Sequence, residues 1–273
     1  ETFISSAGVG LANFRHEKPF RPKSLLLEAD PPDHTAVRTV ISRILSPKTV
    51  QQLKEMFQTE AEIMMKRLLE LETIDGMKDF AEHFPLKIFP DAVGLESEGR
   101  ENLLLYGDMV FNALGPRNEL FEKSMERLLP VSSWIMEHCE RSALRPDGLG
   151  ELIYRAADAG EITHQQAPML VRSFLSAGVD TTIYGMANTL LTLANHPEEY
   201  AKLHATPALA RQAFEESLRY ESALQMIFRT SSRDTELAGH QIPSDKKVLA
   251  FLGAANRDPR KWPDANKFDI ERN

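Results

Sequence analysis

The chain of 273 residues carries 32 Lys and Arg against 40 Asp and Glu, a formal net charge of −8. That balance argues against nucleic acid and against an anionic membrane surface as partners. A single cysteine gives no disulfide framework, and no apolar run is long enough to span a bilayer, so a cytoplasmic protein without membrane contact is expected. No Gly/Ser linker, repeat or low-complexity tract divides the sequence. One domain over 1–273 is expected, and Glu1-Thr2-Phe3, which has no Met, reads as the middle of a domain incomplete at its N-terminus.

Hydrophobic periodicity predicts helices at about 35–45, 47–72, 77–93, 97–113, 118–141, 148–159, 163–195, 197–205 and 207–220. Ser46-Pro47 and Thr206-Pro207 put a capping residue before a proline at the first helical position. Asn195-His196-Pro197 closes the longest helix. Strands are predicted at 236–243 and 247–252, joined by the polar turn Ser244-Asp245-Lys246. The expected class is mainly α with a small β region.

Within the long helix, Ala177-Gly178-Val179-Asp180-Thr181-Thr182 is unusual. Gly costs about 1 kcal/mol against Ala in a helix interior, Asp needs a partner when buried, and Thr hydroxyls bond back to the preceding turn and bend the helix. Two readings stand: a structural kink with a satisfied Asp, or a helix opened so that a hydroxyl and a carboxylate face a small reactant. Four further motifs accompany it. Upstream is Ala29-Asp30-Pro31-Pro32-Asp33-His34-Thr35-Ala36-Val37-Arg38, whose His34 and Arg38, four residues apart on a helix, could reach one carboxylate together. Downstream are Glu216-x-x-Arg219, Phe228-Arg229-Thr230 and Ala255-Asn256-Arg257-Asp258-Pro259.

In that order and spacing the set resembles the cytochrome P450 monooxygenases of bacteria, over essentially the whole chain. The resemblance implies a helical prism around heme b, here partial. It assigns His34, Arg38 and Arg229 to the heme propionates and lets heme and O2 approach the helix at Ala177 and Gly178. Asp180 and Thr181 become an acid–alcohol pair that delivers protons during oxygen activation. Glu216 and Arg219 take a structural role. A ferredoxin-type redox partner with its reductase is implied, docking on a basic patch to which Arg43 and Lys48 would belong. The family ligates heme iron through the Cys of a Phe-Gly-x-Gly-x-His-x-Cys-x-Gly loop. That loop is absent from these residues, which suggests truncation at the C-terminus as well, so no metal ligand is assigned. The one cysteine, Cys139, sits in the amphipathic stretch 134–140 and reads as a packing thiol. Without the loop, a heme-free helical fragment lacking oxygen chemistry is the alternative reading.

Four segments, 21–30, 110–116, 171–176 and 222–225, are similar to the bacterial 4-methoxybenzoate O-demethylases. That similarity implies a small aromatic acid as substrate, its carboxylate held by Arg21, Ser24 and Ser173 with Arg172 behind them. Phe111, Leu114, Leu224 and Ile227 would wall the ring, and Leu27 belongs to the same substrate-binding set. Those enzymes carry aromatic residues where this chain has Leu114 and Ile227, which implies a wider slot and a bulkier para group.

Overall fold

The computed structural model describes residues 1–272. Among the described residues eleven α-helices carry the fold. They are α1 (Asp33–Ile44), α2 (Pro47–Leu69), α3 (His83–Val93), α4 (Asn102–Asn112), α5 (Glu119–Leu128), α6 (Ser132–Glu137), α7 (Leu149–Asp158), α8 (Gln166–Asn195), α9 (Pro197–Ala205), α10 (Ala210–Glu221) and the short α11 (Leu252–Ala255). The predicted starts hold where capping chemistry fixes them. Ser46 Oγ accepts from the Thr49 amide ahead of Pro47. Thr163 and Gln166 cap each other reciprocally, through Thr163 N to Gln166 Oε1 at 2.8 Å and Gln166 N to Thr163 Oγ1 at 3.2 Å.

Three predicted helices are divided; 207–220 opens as a 3₁₀ turn, Pro207–Leu209, ahead of α10, and the Thr206 side chain caps nothing. The stretch 118–141 breaks into α5, a 3₁₀ turn Leu129–Val131 and α6, because Pro130 lacks an amide proton and its ring clashes with the preceding turn. The stretch 77–93 begins as a π-helical turn, Gly76–Glu82, before α3. Asp75 starts that turn by accepting from the Met77 and Lys78 amides.

The 30-residue α8 runs through the middle of the helices, with Ala167, Leu170 and Val171 fully buried. Helices α3, α4, α7 and α10 all pack on it. The strands are β1 (Phe3–Ile4), β2 (Met226–Ser231), β3 (Thr235–Leu237), β4 (His240–Ile242) and β5 (Lys247–Phe251). The predicted pairing of 236–243 with 247–252 is wrong. Residues 235–242 close on themselves as a β3–β4 hairpin around Ala238 and Gly239, both at positive φ, the geometry that matches strand twist in a two-residue turn. Strand β5 pairs instead with β2, which also takes β1 on its other edge. Arg229 therefore lies inside a strand rather than ahead of the sheet.

Candidate active site

The centre of α8 is not opened. The helix continues unbroken through Gly178-Val179-Asp180-Thr181, and the Thr181 hydroxyl donates to the Ala177 carbonyl at 2.8 Å. Ala177 and Thr181, one turn apart, stand exposed on the same face. Asp180 is buried, since consecutive helical residues point about 100° apart. The expected acid–alcohol pair thus occupies two different faces of one helix.

Asp180 lies against α4 at Gly107, where any Cβ would collide with the carboxylate. Its Oδ2 has no hydrogen-bond partner among the described residues. Burial, and secondarily the charge of Asp108, push its pKa up to about 7. Asp108 is itself bridged to Arg127, and both border a crevice of about 330 Å³, lined by charged and apolar side chains, that Asp180 enters, with Tyr184 and Phe111 on its wall. Phe111 thus stands beside Asp180 in this crevice.

On another side of α8 an apolar cavity of about 320 Å³ is bordered by Leu26, Ile41, Ser173, Phe174, Ala177 and Gly178, among others. The smallness of Gly178 serves a packing contact here, because a Cβ there would stand 2.6 Å from the Phe89 ring of α3. His34 is half-buried and Arg38 exposed on α1, and neither makes an ion pair among the described residues. Arg229 faces the start of the same helix. Against the cost of burial, hydrogen bonds from Ser6 and Ser5 and the charge of Arg229 hold the Asp30 carboxyl below its usual pKa. The Asp30 carbonyl in turn accepts the His34 amide at 3.0 Å.

Of the four residues expected around a ligand carboxylate, Arg21 and Arg172 meet, converging on the Pro22 carbonyl and donating from Nη1 at 2.9 Å and from Nη2 at 3.1 Å. Arg21 Nη1 also donates to Glu28 at 2.9 Å, and its Nε is buried with no partner among the described residues. Ser24 is buried, and its oxygen accepts from the Leu26 and Leu27 amides, which leaves its hydroxyl proton available. Ser173 instead donates to the Met169 carbonyl at 2.9 Å. Leu27 is 53% exposed. Leu114 is held against residues 10 and 11, its carbonyl accepting the Leu11 amide at 2.8 Å. Neither it nor Leu27, Leu224 or Ile227 borders the apolar cavity beside Ser173.

Glu216 and Arg219 form a buried hub on α10. Arg219 donates to both carboxylate oxygens of Glu216, at 2.7 and 2.8 Å, and to the carbonyls of Asn256, Ala265 and Lys267. Arg272 completes it, giving Nε to Glu216 at 3.1 Å. No sequence signal marked Arg272, Glu28 or Gly107. Glu28 had the best chance of discovery, four residues after Ser24 and seven after Arg21. Arg43 is bridged to Glu161 at 2.8 Å, which partly neutralises it as a docking cation, while Lys48 is exposed. Cys139 is a core thiol, 3% exposed and pushed by burial to about 12. It offers no thiolate, and no cluster of metal-ligating side chains occurs among the described residues.

For heme, these residues fit partially. The exposed Ala177–Thr181 face, the apolar cavity beside it and the unpaired His34 and Arg38 suit one face and the acidic edge of the group. The axial sulfur is not among them. No helix among the described residues is long and apolar enough to cross a membrane.

Residues 95–206 and 208–272 match the cytochrome P450 family. The chain belongs to that family, whose members use heme. It is 53% identical over 272 residues to cytochrome p450 CYP199A2 of Rhodopseudomonas palustris, covering 99% of this chain and 66% of that protein. Identity to putative cytochrome P450 140 of Mycobacterium tuberculosis is 29%, over 93% of this chain and 60% of that one. The chain therefore spans just under two thirds of the length of these relatives. Among solved structures, myxobacterial cytochrome P450 CYP267B1 in complex with myristic acid superposes with a TM-score of 0.84 at 28% identity, covering 99% of this chain and 69% of that one. Cytochrome P450 CREJ in complex with (4-ethylphenyl) dihydrogen phosphate gives 0.86 at 24% identity, over 99% and 71%, a likeness of fold alone.

Proposed function

We propose that this protein is a heme-thiolate monooxygenase that O-demethylates or hydroxylates small aromatic carboxylic acids such as para-substituted benzoates. The observation that carries the substrate class is a charge imbalance. Arg21 and Arg172 share the Pro22 carbonyl, both largely buried, and among the described residues Glu28 is the one carboxylate paired with them. Burying an uncompensated guanidinium is costly, and a ligand carboxylate supplies the missing charge. Arg21 Nε, the Ser24 hydroxyl and the unused Arg172 nitrogens are its donors. An apolar cavity bordered by Leu26 and Phe174 suits the rest of a rigid aromatic acid.

When bound, heme supplies the redox centre at which O2 is activated and one oxygen atom is transferred to the substrate. His34, Arg38 and Arg229 would hold its carboxylates, and the Ala177–Thr181 face of α8 would lie against it. Thr181 Oγ1 carries a hydroxyl proton on that face. Asp180, whose carboxyl is pushed up to about 7 by burial, borders the crevice beside α4, where it can exchange protons with solvent as a general acid. A ferredoxin-type protein with its reductase is the proposed electron source.

The test uses protein expressed from the complete coding sequence, titrated with 4-methoxybenzoate and with neutral 4-methoxytoluene. Arg21→Ala should weaken the acid tens-fold or more, a loss of roughly 2–5 kcal/mol, and leave the neutral analogue nearly unchanged. Equal weakening of both would remove the carboxylate assignment. A reduced, CO-bound protein without a thiolate-heme absorption band would favour the heme-free reading instead.

A further inference from the structure

We infer that Glu28 is a specificity-determining residue that sets the valence of the anion this pocket accepts, admitting a single negative charge and rejecting dianions. The inference rests on the proposed carboxylate site and adds to it a residue that touches no substrate there. The side chain of Glu28 is 2% exposed and that of Arg21 11%. The Glu28 position is fixed locally: its amide donates to the Ser24 carbonyl at 3.0 Å, while its Oε2 accepts from the Ser24 amide at 2.7 Å and from Arg21 Nη1 at 2.9 Å. One carboxylate therefore both closes the 24–28 turn and anchors the guanidinium.

Two guanidiniums meeting at the Pro22 carbonyl, with one built-in carboxylate, leave one positive charge. A benzoate neutralises it. An aryl phosphate or a dicarboxylate would bring a second negative charge into the same poorly screened space beside Glu28, where like charges repel strongly. Such repulsion against the wrong ligand is a general source of specificity. Tyr106 belongs to the same buried group, under the combined field of Arg172, Arg21 and Glu28, and its phenol is pushed upward chiefly by burial. It adds no charge.

The hydrogen-bond pattern makes the test a clean one. Both short bonds to Glu28 fall on Oε2, and Oε1 has only a 3.5 Å contact with Arg21 Nη2. In Glu28→Gln the amide oxygen can take the Oε2 position, keeping the turn and the anchor while removing the charge. Glu28→Asp keeps the charge and shortens the reach. Arg172→Gln makes the opposite change, leaving the pocket neutral.

The experiment measures calorimetric and spectral affinities at pH 8 for 4-methoxybenzoate, 4-methoxyphenyl phosphate (a dianion above its second pKa near 6) and 4-methoxytoluene. All use protein from the complete coding sequence. Glu28→Gln should raise the affinity ratio of phosphate to benzoate by about tenfold or more and leave 4-methoxytoluene unaffected. Glu28→Asp should keep the parental ratio, and Arg172→Gln should weaken both anions against the neutral probe. Equal changes for phosphate and benzoate in Glu28→Gln would overturn the inference and reduce Glu28 to a prop for Arg21. If Glu28→Gln fails to fold, a raised ratio in Glu28→Asp, or an unaltered preference for anions in Arg172→Gln, overturns it as well. A parent protein that binds 4-methoxybenzoate no better than 4-methoxytoluene fails earlier, at the carboxylate site itself, and takes the inference with it.

Discussion

Asp180 shows how its surroundings change the acidity of one side chain. Its carboxyl is buried against α4, one oxygen has no partner among the described residues, and the nearby charge is the like charge of Asp108. The folded protein therefore holds a proton on this group up to about pH 7, whereas the unfolded chain releases it near the ordinary value of 3.8. Between those values the folded state binds the extra proton, so this group's contribution to stability falls as pH rises from about 4 to 7. Asp180→Asn should then leave stability at pH 4 nearly unchanged and raise it at pH 8, by on the order of 4 kcal/mol at most. Urea unfolding at the two pH values reads the difference, and equal effects at both would show that Asp180 is ionised throughout. The same proton, available near neutrality on a group that borders a crevice, is what a proton-delivering acid needs.

Between elements, the crossing of α4 and α8 depends on a missing side chain. Gly107 costs α4 up to about 1 kcal/mol of helix propensity, yet a Cβ there would occupy the space of the Asp180 carboxylate. Gly107→Ala should accordingly destabilise the parent by roughly 1–3 kcal/mol, the usual range for overpacking. In an Asp180→Ala background the same change should be neutral or stabilising, because the obstacle is gone and the propensity gain remains. A double-mutant cycle in thermal unfolding measures that coupling, and additive effects would separate the two residues. The loop carrying Arg21, Ser24 and Glu28 meets α8 in a comparable way, through Arg172 and the Pro22 carbonyl 150 residues earlier in the chain.

Across the whole molecule, the Glu216–Arg219 hub ties residues 256–272 to α10, and through α10 to the central helix. Glu216 accepts from Arg219, Arg272 and the Asp269 amide, so removing its charge strands the buried Arg219 and the half-buried Arg272 guanidiniums. Glu216→Ala should cost about 3–5 kcal/mol and expose 256–272 to proteolysis before the helices unfold. Arg272→Ala, near the edge of the hub, should cost less. Similar losses from both would mean that the hub acts as one network rather than around Glu216. The second hydrophobic cluster, of Leu193, Ala213, Phe268 and Ile270, reinforces this join between α8, α10 and the C-terminal segment.

Local chemistry made much of this legible from the amino acids alone. Nearly all the helices follow from apolar periodicity, caps and prolines, because those signals act within a few residues. Motif order carried the family, and the similarity of residues 21–30 and 171–176 to known aromatic-acid enzymes picked out Arg21, Ser24 and Arg172. What depends on long-range contact was not legible. The partner of β5, the unbroken course of α8, the divergence of Asp180 from Thr181, and the shared carbonyl at Pro22 are all settled by packing. So are Gly107 and Arg272, whose neighbours are distant in sequence, and Glu28, whose short spacing to Arg21 acquires meaning only once Arg172 lies beside them. A charge or a missing methyl has no site-specific consequence in the linear chain. It acquires one when folding excludes water and fixes what stands opposite.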